Sequence, residues 1–293
     1  MADTLYPPSR PQSVGEILDL AFRIFSATLL KCLPLAALAV IAGQLPNLYD
    51  LATGQPLLRG ASAALAAQRL HDPTWWILNL VAIFGTMTLT NAVLLRQYAL
   101  ASGHAAVIST ELATGARRIP GMFLISLLLA LALVACFLPA GIFLASASFG
   151  GAQMAAIAVV VLVMLIPASW LLIRWSCAIT VYLVSDRGPV ASMTHSWRLT
   201  AGNFWRLGLI YSVALVLIIV LYVLSGVISG VVSLMFARGD VAVITAAAAV
   251  VVVLLGAFAT PFYWALALAV LGDLSVRKEG TDLAQRIAAP ATQ

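Results

Sequence analysis

Long apolar stretches, near 29 to 48, 75 to 95, 121 to 147, 152 to 173, 207 to 236 and 241 to 270, alternate along this chain with short polar ones. A spanning helix needs about 20 apolar residues, so the pattern predicts an all-α polytopic membrane protein with six transmembrane helices. The polar stretch before the first run adds a helix start. Ser13-Val14-Gly15-Glu16 fits a capping box, and Val14, Ile17, Leu18, Ala21, Phe22 and Phe25 then recur at helical spacing between Glu16, Asp19 and Arg23. That is the pattern of an amphipathic helix in the headgroup layer, with Lys31 snorkelling back to it as the chain enters the bilayer.

The motif returns. In PVASMTHSWRLTAGNFWR, residues 189 to 206, Pro189 suits a first turn and Val190, Met193, Trp197 and Phe204 share a face, while Arg198 and Arg206 stand 175 positions after Arg23 and Lys31. HAAVISTELATGARRIPGMF is a weaker copy. The expected organisation is a single membrane domain over 1–293, with three cytoplasmic amphipathic interfacial helices and a threefold repeat of helix-plus-hairpin units, roughly 10–103, 104–186 and 187–272. A cytoplasmic tail, 273–293, completes it. The outer connections near 148 to 151 and 237 to 240 predict tight turns, and LLRGASAALAAQRL in the first outer loop predicts a short surface helix.

Charge gives the orientation. With the N-terminus inside, thirteen Lys and Arg fall on cytoplasmic segments and three, Arg59, Arg69 and Arg238, on outer ones. Cytoplasmic basic residues resist translocation, so both termini are expected in the cytoplasm and the protein in a bacterial inner membrane. The N-terminal stretch has acids and no compact apolar core before a small-residue site, so no cleaved signal peptide is expected. Hydrophobic residues are 62% and charged ones 9% of 293, with mean hydropathy +1.04, which excludes an aqueous globular class. The net charge of +5 is scattered in ones and twos beside apolar runs, and no nucleic-acid partner is expected.

Reactive chemistry is sparse. No Asp, Glu or His lies near the middle of a predicted span, which argues against a proton-coupled transporter. Asn79, Thr86, Thr88, Thr90 and Asn91, and Ser225, Ser229 and Ser233, suit helix packing, while Pro34, Pro139, Pro167 and Pro261 predict kinks or breaks. Cys32, Cys136 and Cys177 have unrelated spacings and suit buried free thiols. No metal, nucleotide or protease motif occurs, so no enzyme activity, cofactor or metal is expected; His71 with Asp72 is the one loop pair that could act catalytically.

RPQSVGEILDLAFRIF, DRGPVASMTHSWRLTAGNFWRLG and LGDLSVRKEGTDL resemble the membrane domain of bacterial glycerophosphoryl diester phosphodiesterases, which also occurs as a stand-alone family of integral membrane proteins. Asp273, Leu274, Arg277, Lys278, Glu279, Gly280, Asp282 and Leu283 match its last motif; Ser275 replaces an arginine and Leu271-Gly272 an aromatic pair. The resemblance is to the membrane half, so phosphodiesterase activity is not carried over. The leading expectation is a non-enzymatic module in envelope or lipid homeostasis, binding lipid, anionic phospholipid above all, or a partner protein. Its candidate headgroup residues are Arg23, Lys31, Trp197, Arg198, Trp205, Arg206, Arg277 and Lys278. A structural tail clamp, Asp273 and Arg277 with Glu16 or Asp19, is the other reading of the last motif. The alternative function is a transporter, channel or lipid translocator.

Overall fold

The computed structural model describes residues 4–53, 71–146, 151–236 and 241–280. Six helices are long and apolar enough to cross a membrane: Val14–Gly43, Pro73–Ala101, Ile119–Ile142, Ala156–Val184, Phe204–Ile228 and Val250–Glu279. All regular structure among the described residues is helical, and the chain is a multi-pass membrane protein. In order the helices are α1 (Val14–Gly43), α2 (Leu45–Ala52), α3 (Pro73–Ala101), α4 (Ile108–Arg117), α5 (Ile119–Ser146), α6 (Gly151–Arg174), α7 (Ala178–Val184), α8 (Pro189–Thr200), α9 (Phe204–Phe236) and α10 (Val241–Glu279). The expected outer-loop helix and the turns at 148–150 and 237–240 lie outside the described residues, as does the tail beyond 280.

The capping box forms as the sequence predicts. Ser13 Oγ accepts from the Glu16 amide at 3.3 Å, and Glu16 Oε2 accepts from the Ser13 amide at 2.7 Å. The course of α1 beyond this start differs from the expectation. The helix does not turn at Lys31 but runs unbroken to Gly43, about 45 Å, well beyond the roughly 30 Å hydrocarbon layer. Between residues 16 and 33 nothing interrupts helical bonding. The two later segments expected to resemble it are separate helices: α4 ends at Arg117 and α8 at Thr200, with Gly202 just beyond the latter in the left-handed region at φ 79°. The prolines do not break their helices either; Pro34, Pro139, Pro167 and Pro261 all lie inside continuous ones.

Packing is concentrated at one end of the bundle, where the N-terminal segment meets the ends of α3 and α10 and the start of α9. There Ile17, Leu20, Ala21 and Ile24 of α1 pack with Leu207 and Ile210 of α9 and with Leu266, Val270 and Leu274 of α10. Most of the apolar stripe at the start of α1 thus faces protein. Phe22 stays about half exposed, its ring 5.1 Å from Phe262. A second cluster joins Cys32, Leu94, Leu183, Trp264 and Leu268. Away from this end the helices present Leu38, Ile77, Phe84, Leu138, Ile142, Ile219 and Val250 outward. Such faces suit hydrocarbon, which solvates them as well as a protein neighbour does.

Polar groups tie the helices where they meet. Gln97, fully buried, donates through Nε2 to Thr28 Oγ1 at 3.2 Å and to the Pro261 carbonyl at 2.9 Å, joining α1, α3 and α10. Thr86 Oγ1 donates to the Ala39 carbonyl at 3.1 Å and Asn91 Nδ2 to the Gly115 carbonyl at 3.2 Å. The latter needs a close approach: a Cβ on Gly115 would stand 2.9 Å from the Thr88 carbonyl oxygen. Asn79, Thr88 and Ser225 instead bond to their own helices. The side chains of Ser229 and Ser233 lie outside the described residues. Cys32 and Cys177 are buried, Cys136 is partly so, and all three are free.

Candidate functional site

The last turns of α10 carry a buried carboxylate, and the packing there determines its partners. Asp273, 1% exposed, has Oδ2 at 2.7 Å from Arg206 Nη1 and 2.9 Å from Arg277 Nε. Its Oδ1 accepts from the Gln12 amide at 2.7 Å. The Gln12 carbonyl closes the network by accepting from Arg277 Nη2 at 2.6 Å and from Arg206 Nη2. Local spacing places Arg277 one turn from Asp273; Arg206 and Gln12 arrive from distant parts of the chain. Glu16 is not in this network. It pairs with Arg10 at 2.6 Å and serves the capping box, while Asp19 is exposed.

The clamp anchors an N-terminal strap. Leu5 and Tyr6 amides both donate to the Ala101 carbonyl, at 2.9 and 3.1 Å, satisfying an acceptor that the end of α3 leaves open. Tyr6 packs edge-on against Tyr98, with centroids 5.4 Å apart, and burial pushes its phenol above the ordinary range. A Cβ on Gly272 would lie 2.7 Å from Pro8 Cδ and 3.0 Å from Tyr6 Cε2. Gly272 therefore makes room for the strap.

A second constellation, not singled out by the sequence, lies where α8 crosses the end of α6. Ser196 and Thr200 hydroxyls donate to the Arg174 carbonyl at 2.9 and 3.2 Å, capping α6 with side chains. The Arg174 guanidinium stands 5.2 Å from the Trp170 ring centre and 5.0 Å from that of Trp197, and its Nη1 donates to the Trp197 carbonyl. Trp197 in turn meets Trp170 edge-on at 5.0 Å and Trp175 at 5.8 Å. Arg118 plays the matching part at α7, donating to the Tyr182 and Ser185 carbonyls and pairing with Asp186 at 3.3 Å. The signal was the run W-L-L-I-R-W at 170–175.

The other expected headgroup residues remain on the outside. Arg23, Lys31, Arg198 and Lys278 are exposed, and Trp205 is 85% exposed. Among the described residues Arg23, Lys31 and Lys278 form no ion pair. Arg198 and Lys278 line a cleft of about 270 Å³ with His195, Leu199 and Glu279. His195, nearly buried, has Nε2 3.4 Å from Glu279 Oε1 and Nδ1 3.5 Å from Arg198 Nη2. Burial first, then the charge of Arg187, holds its pKa below the ordinary 6.5; Glu279 opposes this and Arg198 adds to it.

Stability is therefore expected to depend on pH. Below pH 6.5 the unfolded chain binds a proton on this histidine that the folded chain resists, so stability falls as pH drops from 6.5 through the lower folded value. Thermal unfolding at pH 7 and 5.5 is expected to show this loss, and His195→Gln to reduce it. An equal pH dependence in the variant would refute the assignment.

Toward the other end, Asp72 Oδ1 caps α3 by accepting from the Thr74 amide at 2.9 Å, and Tyr49 donates its hydroxyl to Oδ2 at 2.9 Å. That hydrogen bond holds the Asp72 carboxyl below its usual pKa. The aspartate of the His71-Asp72 pair is thus occupied as a helix cap. Among the described residues no three His, Cys, Asp or Glu converge to hold a metal ion. No family model, curated protein or solved structure matches the chain.

Proposed function

We propose that the chain is a non-enzymatic module of a bacterial inner membrane that binds anionic phospholipid at a cytoplasmic basic rim and serves envelope or lipid homeostasis. The observation that carries this reading is the set of exposed cations without ion-pair partners among the described residues, Arg23, Lys31 and Lys278, accompanied at the start of α9 by the outward Trp205. Each such cation is worth about 1 kcal/mol toward an anionic leaflet, and indole rings favour the headgroup layer. The clamp narrows the rim. Arg206 and Arg277 face Asp273 and the Gln12 carbonyl, so their role in this reading is to hold the rim in shape. Cytoplasmic termini agree with the positive-inside bias, and the resemblance to the stand-alone phosphodiesterase membrane domain agrees with a non-catalytic role. The three helix-plus-hairpin units enter as repeats that each bring an amphipathic, arginine-bearing segment to the rim.

Native-lipid nanodiscs of the purified protein are expected to be enriched in anionic phospholipid over the source membrane. At about 1 kcal/mol per cation, Arg23→Glu, Lys31→Glu and Lys278→Glu together are expected to reduce that enrichment at least about tenfold. An unchanged lipid ratio in the triple variant would overturn the proposal.

A further inference from the structure

A groove at the basic end is apolar. It has a volume of about 420 Å³ and is lined by Leu128 of α5, by Trp175, and by Val190, Met193, Thr194 and Trp197 of α8. Its size is that of a small-molecule pocket, for which about 300–1,000 Å³ is usual. Its floor is protein: Ile125, Ala178 and Met193 form a buried cluster against which Leu128 and Trp175 pack. Its outer edge is open, with Val190 58% exposed. Polar demand inside is small, because Thr194 already donates its hydroxyl to the Val190 carbonyl at 3.0 Å. An apolar cavity of this kind does not hold ordered water well.

The groove also spans two depths. Leu128 lies nine residues along α5 from Ile119, about 13.5 Å from the start of that helix, at the level where α5 turns Leu124, Leu127 and Leu131 outward. The lip lies at the end of α6, where the Trp197 ring stands beside the Arg174 guanidinium and 5.8 Å from the ring of Trp175. Hydrocarbon depth at one end and a tryptophan-arginine lip at the other match an amphiphile lying along the membrane normal.

We propose that this groove seats one acyl chain of a phospholipid from the leaflet at the basic end, with the headgroup at the Trp175 and Trp197 lip beside Arg174. The assignment rests on the rim being a headgroup layer, but it requires no preference for anionic lipid. Charge selects at Arg23, Lys31 and Lys278; the groove selects for a chain.

The test uses the full chain in nanodiscs doped with phospholipid carrying a diazirine on its acyl chain, with either a phosphatidylcholine or a phosphatidylglycerol headgroup. After irradiation, labelled positions are mapped by mass spectrometry. Labels are expected on Leu128 and on 190–197 at several times the level on the outward face of α3, Ile77 to Phe84, and, where a detergent wash precedes irradiation, to persist in the groove while those on α3 are lost. Thr194→Phe fills the groove from an exposed position and is expected to lower groove labelling at least fivefold, leaving α3 unchanged; Thr194→Ser retains it. Equal groove labelling by both headgroups supports a site that selects for a chain, while the anionic preference of the rim is read separately from the nanodisc lipid ratio. Labels spread evenly over all outward faces, or groove labels undiminished in a Thr194→Phe protein that melts normally, would overturn the assignment, and the nanodisc lipid ratio would still test the rim.

Discussion

Asp273→Ala is expected to destabilise the protein by about 3 kcal/mol and to free its N-terminal strap. The carboxylate is 1% exposed and is the anion on which Arg206, Arg277 and the Gln12 amide converge. Removing it leaves two guanidinium groups facing each other and an amide without its acceptor. Breaking a buried pair from one side costs roughly 3–5 kcal/mol, and the lower figure applies because the two arginine side chains keep 19% and 32% exposure and some hydration. Asp273→Asn retains an acceptor for Gln12 and loses only the charge, so it should fall between wild type and alanine. The measurement is thermal unfolding in detergent, paired with limited proteolysis: cleavage between residues 4 and 13 should rise sharply in the alanine variant. A melting temperature and cleavage rate equal to wild type would show that the clamp holds nothing.

The second large effect lies between α3 and α4. Arg96 and Glu111 side chains are 13% and 7% exposed and meet through one contact of 3.2 Å, while Arg96 Nε and Glu111 Oε1 have no partner among the described residues. A buried ion pair so incompletely satisfied returns little of its desolvation cost. Arg96→Met alone should nonetheless cost about 3–5 kcal/mol, because it strands the Glu111 carboxylate. Adding Glu111→Leu should restore stability to at least the wild-type level, since an apolar pair of similar volume replaces an imperfect ionic one. The check is a double-mutant cycle in unfolding free energy, with a coupling of at least about 3 kcal/mol in favour of the double variant. If the two losses simply add, the carboxylate has other partners and the pairing is incidental.

These two sites differ in how much of them could be read from the chain. Asp273 and Arg277 are four apart in a helix, so their pairing follows from periodicity. Arg206 and Gln12, 67 and 261 positions away, carry no local mark of it. The sequence offers Glu16 or Asp19 as the clamp's further partner, and the fold directs Glu16 to Arg10 and its own helix start. Arg96, Arg118 and Arg174 counted toward topology, yet each serves a junction: Arg96 an ion pair, the other two the carbonyl ends of α7 and α8. The need for such caps arises only once helices terminate against one another.

The chain by itself determined that six helices are long and apolar enough to cross a membrane, that the first begins at a capping box, and that basic residues gather on alternate connections. Each follows from the transfer of a residue between water and hydrocarbon or from bonds within one turn, quantities that local sequence carries. Tertiary structure decided which apolar face meets protein and which meets lipid. Ile17 and Ile24 are buried while Leu30 and Leu38 are exposed, although all are equally suited to hydrocarbon. In a membrane the hydrophobic effect does not distinguish a neighbouring helix from a lipid tail. The choice falls to shape and to buried polar pairs, such as the approach at Gly115 and the bonds of Gln97 and Asp273, whose partners come together only when the chain has folded.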